Sequence, residues 1–126
     1  MAVSLLGQFG DIPPLAEDLK SVKWMGDYTA AAVLCMSVGE PLPMVDEGVR
    51  RLIGRYSENE KISFQTAMGL LGGCLSRNSC RKANLGMIDL SATVCTATNP
   101  KCPHCPLAQS YRWNLKHVSS SYDCLD

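Results

Sequence analysis

Cys95, Cys102 and Cys105 fall in the segment VCTATNPKCPHCPL with the spacing C-x6-C-x2-C. Thiolates set this close together, with prolines in the intervening loops, suit a zinc ion or an iron–sulfur centre, and ordinary helix packing asks for no such spacing. A closed site takes a fourth ligand, and residues 108–112 include no cysteine. Cys124, His117, His104 and Asp123 are the other candidates. Cys124 has the right chemistry at the end of a loop of about eighteen residues, which loop-closure entropy permits without favouring. His104 lies between two of the cysteines and is expected to point outward. The chain has seven cysteines and no segment resembling an export signal, so reduced thiols and a metal site fit better than a disulfide framework. Cys35, Cys74 and Cys80 read as buried small hydrophobes or incidental thiols.

Asp46 is the second residue that could do chemistry. It follows the extended connection made by Gly39, Pro41 and Pro43 and precedes EGVRRLIGRY. An aspartate there ordinarily caps the helix, accepting backbone N–H groups. The functional alternative is a carboxylate at a cleft, stabilising a cationic sugar while a glycosidic bond breaks. A third feature is VKWMGDYTAAAVLCMSVG, a turn with glycine between two helical segments. Helix, tight turn, helix is the layout in which turn N–H groups and a helix N-terminus point at a phosphate. An αα-corner inside a bundle has the same layout. Here Gly26 is expected to supply positive φ, Asp27 to cap the second helix, and Trp24 to occupy the place of a second turn glycine as a core residue.

The elements carrying these residues read as helices. LAEDLKSV starts with an acidic first turn after Pro13 and Pro14, and DYTAAAVLCMSV is alanine-rich. In EGVRRLIGRY the residues Val49, Leu52, Ile53 and Tyr56 share one face, with Arg50, Arg51 and Arg55 on the others. Further helices are predicted over Phe64–Leu75 and Lys82–Cys95, and SENEK is a polar linker. No strand pairing or repeat is evident, so the class is all-α. The 126 residues suffice for one domain, and zero formal net charge leaves no global field to draw the protein onto DNA or a membrane. The longest apolar stretch, Thr29–Val38, is too short to span a bilayer.

In this order the three motifs resemble the endonuclease III and MutY superfamily of helix–hairpin–helix DNA glycosylases, over Leu5 to about Tyr111. The carriers are VKWMGDYTAAAVLCMSVG, PMVDEGVRRLIGRY and NLGMIDLSATVCTATNPKCPHCPL. GDYTAAAVLC is most similar to the thymine-specific mismatch branch, with the adenine-specific branch next. The resemblance implies a single domain over 1–111, with the hairpin in 12–38, the aspartate-bearing helical part in 44–95, the cysteine loop in 95–111 and a flexible tail in 112–126.

It implies further a monofunctional glycosylase, with Asp46 supporting loss of the base and Tyr28 standing where bifunctional members keep a lysine. The substrate would be double-stranded DNA carrying T or U opposite G, or A opposite G or oxidised G. Trp24, Met25, Gly26, Asp27, Tyr28 and Thr29 would hold a phosphate, with a cation on the hairpin carbonyls, and Lys101 would touch the backbone from the cysteine loop. A [4Fe-4S] cluster would bind Cys95, Cys102 and Cys105, with Cys124 or Tyr111 as fourth ligand; Tyr111 stands at the family's fourth cysteine. Zinc, or no metal, are the alternatives.

The family places several helices ahead of the hairpin, so the fold is expected to lack its first helices. The apolar face of Ala30–Met36 is then exposed unless a second chain or a homodimer completes the pocket. The location implied is intracellular: cytoplasm or nucleoid, or the nucleus in a eukaryote. Two other functions fit the same motifs, a catalytically silent DNA-binding or partner-binding remnant and a small helical metal-binding protein.

Overall fold

In the computed structural model, residues 7–11 and 13–108 are described, and they are helical with no strand among them. The elements are α1 (Ala16–Lys20), α2 (Asp27–Val38), α3 (Glu47–Tyr56), α4 (Phe64–Gly72), α5 (Cys80–Thr93) and a 3-10 turn over Cys102–His104. The all-α expectation holds, with shifted bounds in α4 and α5. α4 stops at Gly72 because the N–H groups of Cys74 and Leu75 turn back to the Leu71 and Gly72 carbonyls. α5 lies two residues earlier than predicted at both ends. The Ser76 carbonyl accepts the Cys80 N–H at 2.8 Å, starting the helix, and the Cys95 N–H reaches the Leu90 carbonyl at 2.8 Å, ending it.

The chain divides into two compact units, Met1–Met44 with Leu71–Asn84, and Val45–Leu70 with Leu85–Asp126. In the first, Leu19, Val22 and Met25 pack with Ala30 and Leu34 of α2, flanked by Phe9, Ala16, Val33 and Leu42. The expected exposure of the Ala30–Met36 face is therefore corrected: Ala30, Ala31, Leu34 and Cys35 are buried. α2 is apolar around most of its circumference, and different partners cover different sides. Its C-terminus is closed by Gly39 at φ +73, the left-handed conformation that suits glycine, and by the Arg81 guanidinium donating to the Cys35, Met36 and Ser37 carbonyls. Cys80 is buried as expected, whereas Cys74 is exposed. Burial pushes the Cys35 thiol pKa up, so it behaves as a small neutral core group.

Asn84 ties this unit together. Fully buried, it donates to the Leu42 carbonyl at 2.9 Å and the Cys35 sulfur at 3.3 Å, and accepts the Met44 N–H at 3.0 Å. It thereby satisfies the proline-bounded segment that leads to Asp46, a stretch with no ladder of its own.

In the second unit, Val49, Leu52 and Ile53 of α3 are buried with Ile62 and Ala67. The predicted face is right for these three and wrong at both edges: Tyr56 is exposed and Arg55 is buried. Arg50 pairs with Glu47, donates to the Ile62 carbonyl at 2.7 Å, and lies 5.3 Å from the Phe64 ring centroid, fastening the linker to α3. Ser63 caps α4 by accepting the Thr66 N–H at 3.1 Å.

Asn84→Leu would keep the volume but strand the Met44 N–H and the Leu42 carbonyl. The expected loss is about 2–5 kcal/mol of stability, read as a lower urea midpoint at unchanged m-value.

Candidate nucleic-acid interface and cysteine loop

The turn between α1 and α2 is built on two buried anchors, Val22 and Met25. The Met25 N–H is spent on the Val22 carbonyl at 3.1 Å, so of the hairpin residues Met25 serves the turn itself. Three expectations are corrected here. The left-handed residue is Trp24, at φ +73, and Gly26 has φ −90, a value any residue adopts. Gly26, not Asp27, is the N-cap; Asp27 is the first helical residue and makes no capping bond. Trp24 is no core residue but is 77% exposed, because Val22 and Met25 already fill the inside of the turn.

Asp27 instead pairs with Lys20 at 3.2 Å, and the carboxylate holds the Lys20 ammonium above its ordinary pKa. That contact offsets a negative charge beside the N–H groups of Gly26, Asp27, Tyr28 and Thr29, which head α2 without intrahelical acceptors. A Cβ built on the exposed Gly26 meets nothing within 4 Å. Neither the backbone angle nor the protein interior demands glycine there; beyond the ordinary preference for glycine over alanine at an N-cap, it leaves room for close approach from outside. Tyr28 is exposed and Thr29 half-buried on the same first turn.

Asp46 caps α3. Its Oδ1 accepts the Val49 N–H at 2.7 Å, while no hydrogen bond to Oδ2 occurs among the described residues, and the side chain is half-buried. The capping role and an available second oxygen therefore coexist in one carboxylate.

Farther along the same helix, two arginines face the cysteine loop. Arg51 donates to the Cys95 carbonyl from Nε at 3.0 Å and from Nη2 at 2.9 Å, and to the Ser91 carbonyl at 2.9 Å. Arg55, 7% exposed, donates to the Thr96 carbonyl at 2.8 Å, the Ala97 carbonyl at 3.1 Å and the Cys95 sulfur at 3.4 Å. Placing the arginines on the faces away from the apolar one did not reveal this. The available signal was the loop itself: a proline-bearing segment next to a helix end leaves carbonyls without partners, and only side-chain donors can reach them.

The loop then returns through the Lys101 N–H, which donates to the Val94 carbonyl at 2.9 Å, and Asn99 takes φ +51. Cys95, Cys102 and Cys105 are all buried, the last two beside Leu90, Val94, Leu107 and Ala108. Lys101 and His104 are exposed, as expected for the histidine. Tyr111, His117, Asp123, Cys124 and the predicted flexible tail lie outside the described residues.

The donor set fits an iron–sulfur cluster as far as three ligands go. All three cysteines are buried, Cys102 and Cys105 against apolar side chains, and a guanidinium donates to the Cys95 sulfur, as suits an anionic thiolate. Among the described residues no three Cys, His, Asp or Glu side chains converge on one point as a single ion requires. A cluster makes no such demand, since each thiolate takes its own iron.

Arg55→Met should lower iron and sulfide per chain in purified protein. It should also expose the Thr96–Lys101 loop to limited proteolysis, with a cost of about 2–4 kcal/mol from the stranded carbonyls and sulfur.

The model of the iron–sulfur binding domain of endonuclease III matches residues 95–110. The chain is 32% identical over 108 residues to a thymine/uracil-DNA glycosylase of Methanothermobacter thermautotrophicus, covering 79% of this chain and 47% of that protein. It is 30% identical over 116 residues to an adenine DNA glycosylase of Mycolicibacterium smegmatis, covering 89% of this chain and 39% of the relative. The solved structure of a thermostable thymine-DNA glycosylase superposes with a TM-score of 0.83 at 28% identity, over 91% of this chain and 55% of that one. The chain thus spans about half the length of the relatives it matches or less. Alike in sequence and fold to these proteins, and matching the iron–sulfur domain over its cysteine segment, the chain belongs to the endonuclease III/MutY superfamily.

Proposed function

We propose that this chain carries the hydrolytic half-reaction chemistry of a monofunctional DNA glycosylase, releasing a mismatched base from double-stranded DNA. The substrate class is thymine or uracil opposite guanine, with adenine opposite guanine or oxidised guanine second, in the order of the relatives' names. The observation that carries the reading is the Asp46 carboxylate, fixed through Oδ1 by the Val49 N–H and retaining Oδ2 for a substrate.

Base removal breaks the bond between C1′ and the base nitrogen, and positive charge builds on the sugar. The Asp46 carboxylate stabilises that charge, water adds at C1′, and the departing base takes a proton. Tyr28 bears no amine to attack C1′, so no Schiff base forms through it and the product is an abasic site. Gly26 and the first-turn N–H groups of α2 take a phosphate. Lys101 adds a cation from the cysteine loop. An iron–sulfur cluster would be held by Cys95, Cys102 and Cys105, with Tyr111 or Cys124 completing the set, and would supply structural cross-linking of that loop.

Asn caps a helix as well as Asp, so Asp46→Asn should keep its melting temperature. Single-turnover release of T or U from a G-mismatched duplex should nevertheless fall by about 10²–10³-fold, the scale of one lost electrostatic stabiliser. Equal rates for wild type and variant would sink the assignment. Gly26→Ala meets no steric conflict inside the protein. It should cost about 1 kcal/mol of stability or less, as alanine replaces glycine at an N-cap, while weakening duplex binding at least about fivefold by anisotropy at a temperature where both proteins are folded, and an unchanged affinity would remove the phosphate from this turn.

A further inference from the structure

The Trp24 indole does nothing for the fold that a smaller residue would not do better. Its φ of +73 lies in the left-handed region, where glycine is unstrained and a bulky side chain is an outlier. The ring is 77% exposed, and its one cation contact among the described residues is the Lys23 ammonium, 5.0 Å from the centroid. Val22 and Met25 hold the turn without it. Backbone strain at a residue whose side chain is then left in water makes sense when the side chain is used on something outside the chain.

Its position indicates what that is. Trp24 stands two residues ahead of Gly26 and the first-turn N–H groups of α2. A ring at the rim of a phosphate-holding turn meets the deoxyribose and base faces of the same strand. An indole is suited to them because every base offers a π-face, whatever the sequence. Lys23 adds a mobile cation at the same rim, and backbone contacts of that kind are sequence-independent.

We propose that Trp24 is a DNA-stacking residue, its indole lying on a sugar or an unstacked base of the strand whose phosphate the following turn holds, with Lys23 on a neighbouring phosphate. This rests on the hairpin reading given above. It adds a sequence-tolerant apolar contact to a cradle that otherwise works through backbone N–H groups.

The test compares wild type, Trp24→Gly, Trp24→Phe and Gly26→Ala on a labelled mismatched duplex by anisotropy, with melting temperatures measured in parallel. Trp24→Gly should melt no lower than wild type, because the strain is relieved, yet bind the duplex about tenfold more weakly, within the range of one lost stacking contact. Trp24→Phe should bind within about threefold of wild type. In a Trp113→Phe background, which leaves Trp24 as the only indole, its emission should be quenched at saturating DNA. Affinity unchanged or improved in Trp24→Gly, or emission unmoved at saturation, overturns the proposal. If Gly26→Ala weakens binding while Trp24→Gly does not, the phosphate cradle stands and the stacking role alone falls. If the wild type fails to bind duplex, both fall.

Discussion

A loop without helix or strand leaves its carbonyls to be satisfied one by one, and in this chain the donors to the carbonyls of Cys95, Thr96 and Ala97 come from two guanidinium groups on a single helix. Arg51 and Arg55 hold the carbonyls of Ser91, Cys95, Thr96 and Ala97, and Arg55 also reaches the Cys95 sulfur. Neutral amide oxygens bonded by a buried cation gain from the low local dielectric, and losing one partner is correspondingly expensive. The same helix begins at Asp46, whose carboxylate sets its first turn. Because α3 is rigid, the acid and the start of the cysteine loop are held in one register by the intervening helical turns. A change at Arg55 is therefore felt at the loop, and a change at the cap is felt along the helix that positions both arginines.

The hairpin, in the role proposed for it, meets a different problem, holding an anion in a chain with no net charge. Backbone N–H groups at a helix start need no excess of lysine or arginine, and the partial positive charge there falls off within a turn. Asp27 would oppose a phosphate at that point, and its pairing with Lys20 removes much of the conflict. Gly26 contributes by lacking a side chain rather than by a special backbone angle. That distinction matters for how the turn evolves: alanine at this place is compatible with the fold and not with close approach.

What could be read from the sequence was what local physics decides. Helix positions followed from alanine content, proline stops and the 3.6-residue spacing of Val49, Leu52 and Ile53. The cysteine spacing announced a thiolate loop, and the proline-bounded aspartate announced a cap. What failed was what depends on a partner distant in sequence. Helical periodicity placed Arg55 away from the apolar face, but it could not show that unpaired loop carbonyls would come to bury it. Trp24 was expected inside because large aromatics usually are, yet Val22 and Met25 had already filled that space. The φ values were misassigned within one turn because glycine is permissive, and permissiveness does not reveal where the turn bends. The Ala30–Met36 face was expected to be bare for want of preceding helices, but Leu19, Val22 and Met25 cover Ala30 and Leu34, and Asn84, 49 residues further on, reaches Cys35.

The departure at Tyr111 bears on how much the loop needs its cluster. Two kinds of constraint act on residues 95–105. Thiolates bound to a cluster would cross-link Cys95, Cys102 and Cys105 with large binding energy but little control over the backbone between them. The arginine contacts act on the backbone itself, at Cys95, Thr96 and Ala97, and the Lys101 N–H closes the return at Val94. The path of the loop that presents Lys101 is therefore set by hydrogen bonds that do not involve the fourth ligand position. Substituting that ligand weakens the cross-link, and the guanidinium bonds still define the same backbone course. On this argument a tyrosine at position 111 is tolerable in this chain for a reason located elsewhere, in the buried Arg55.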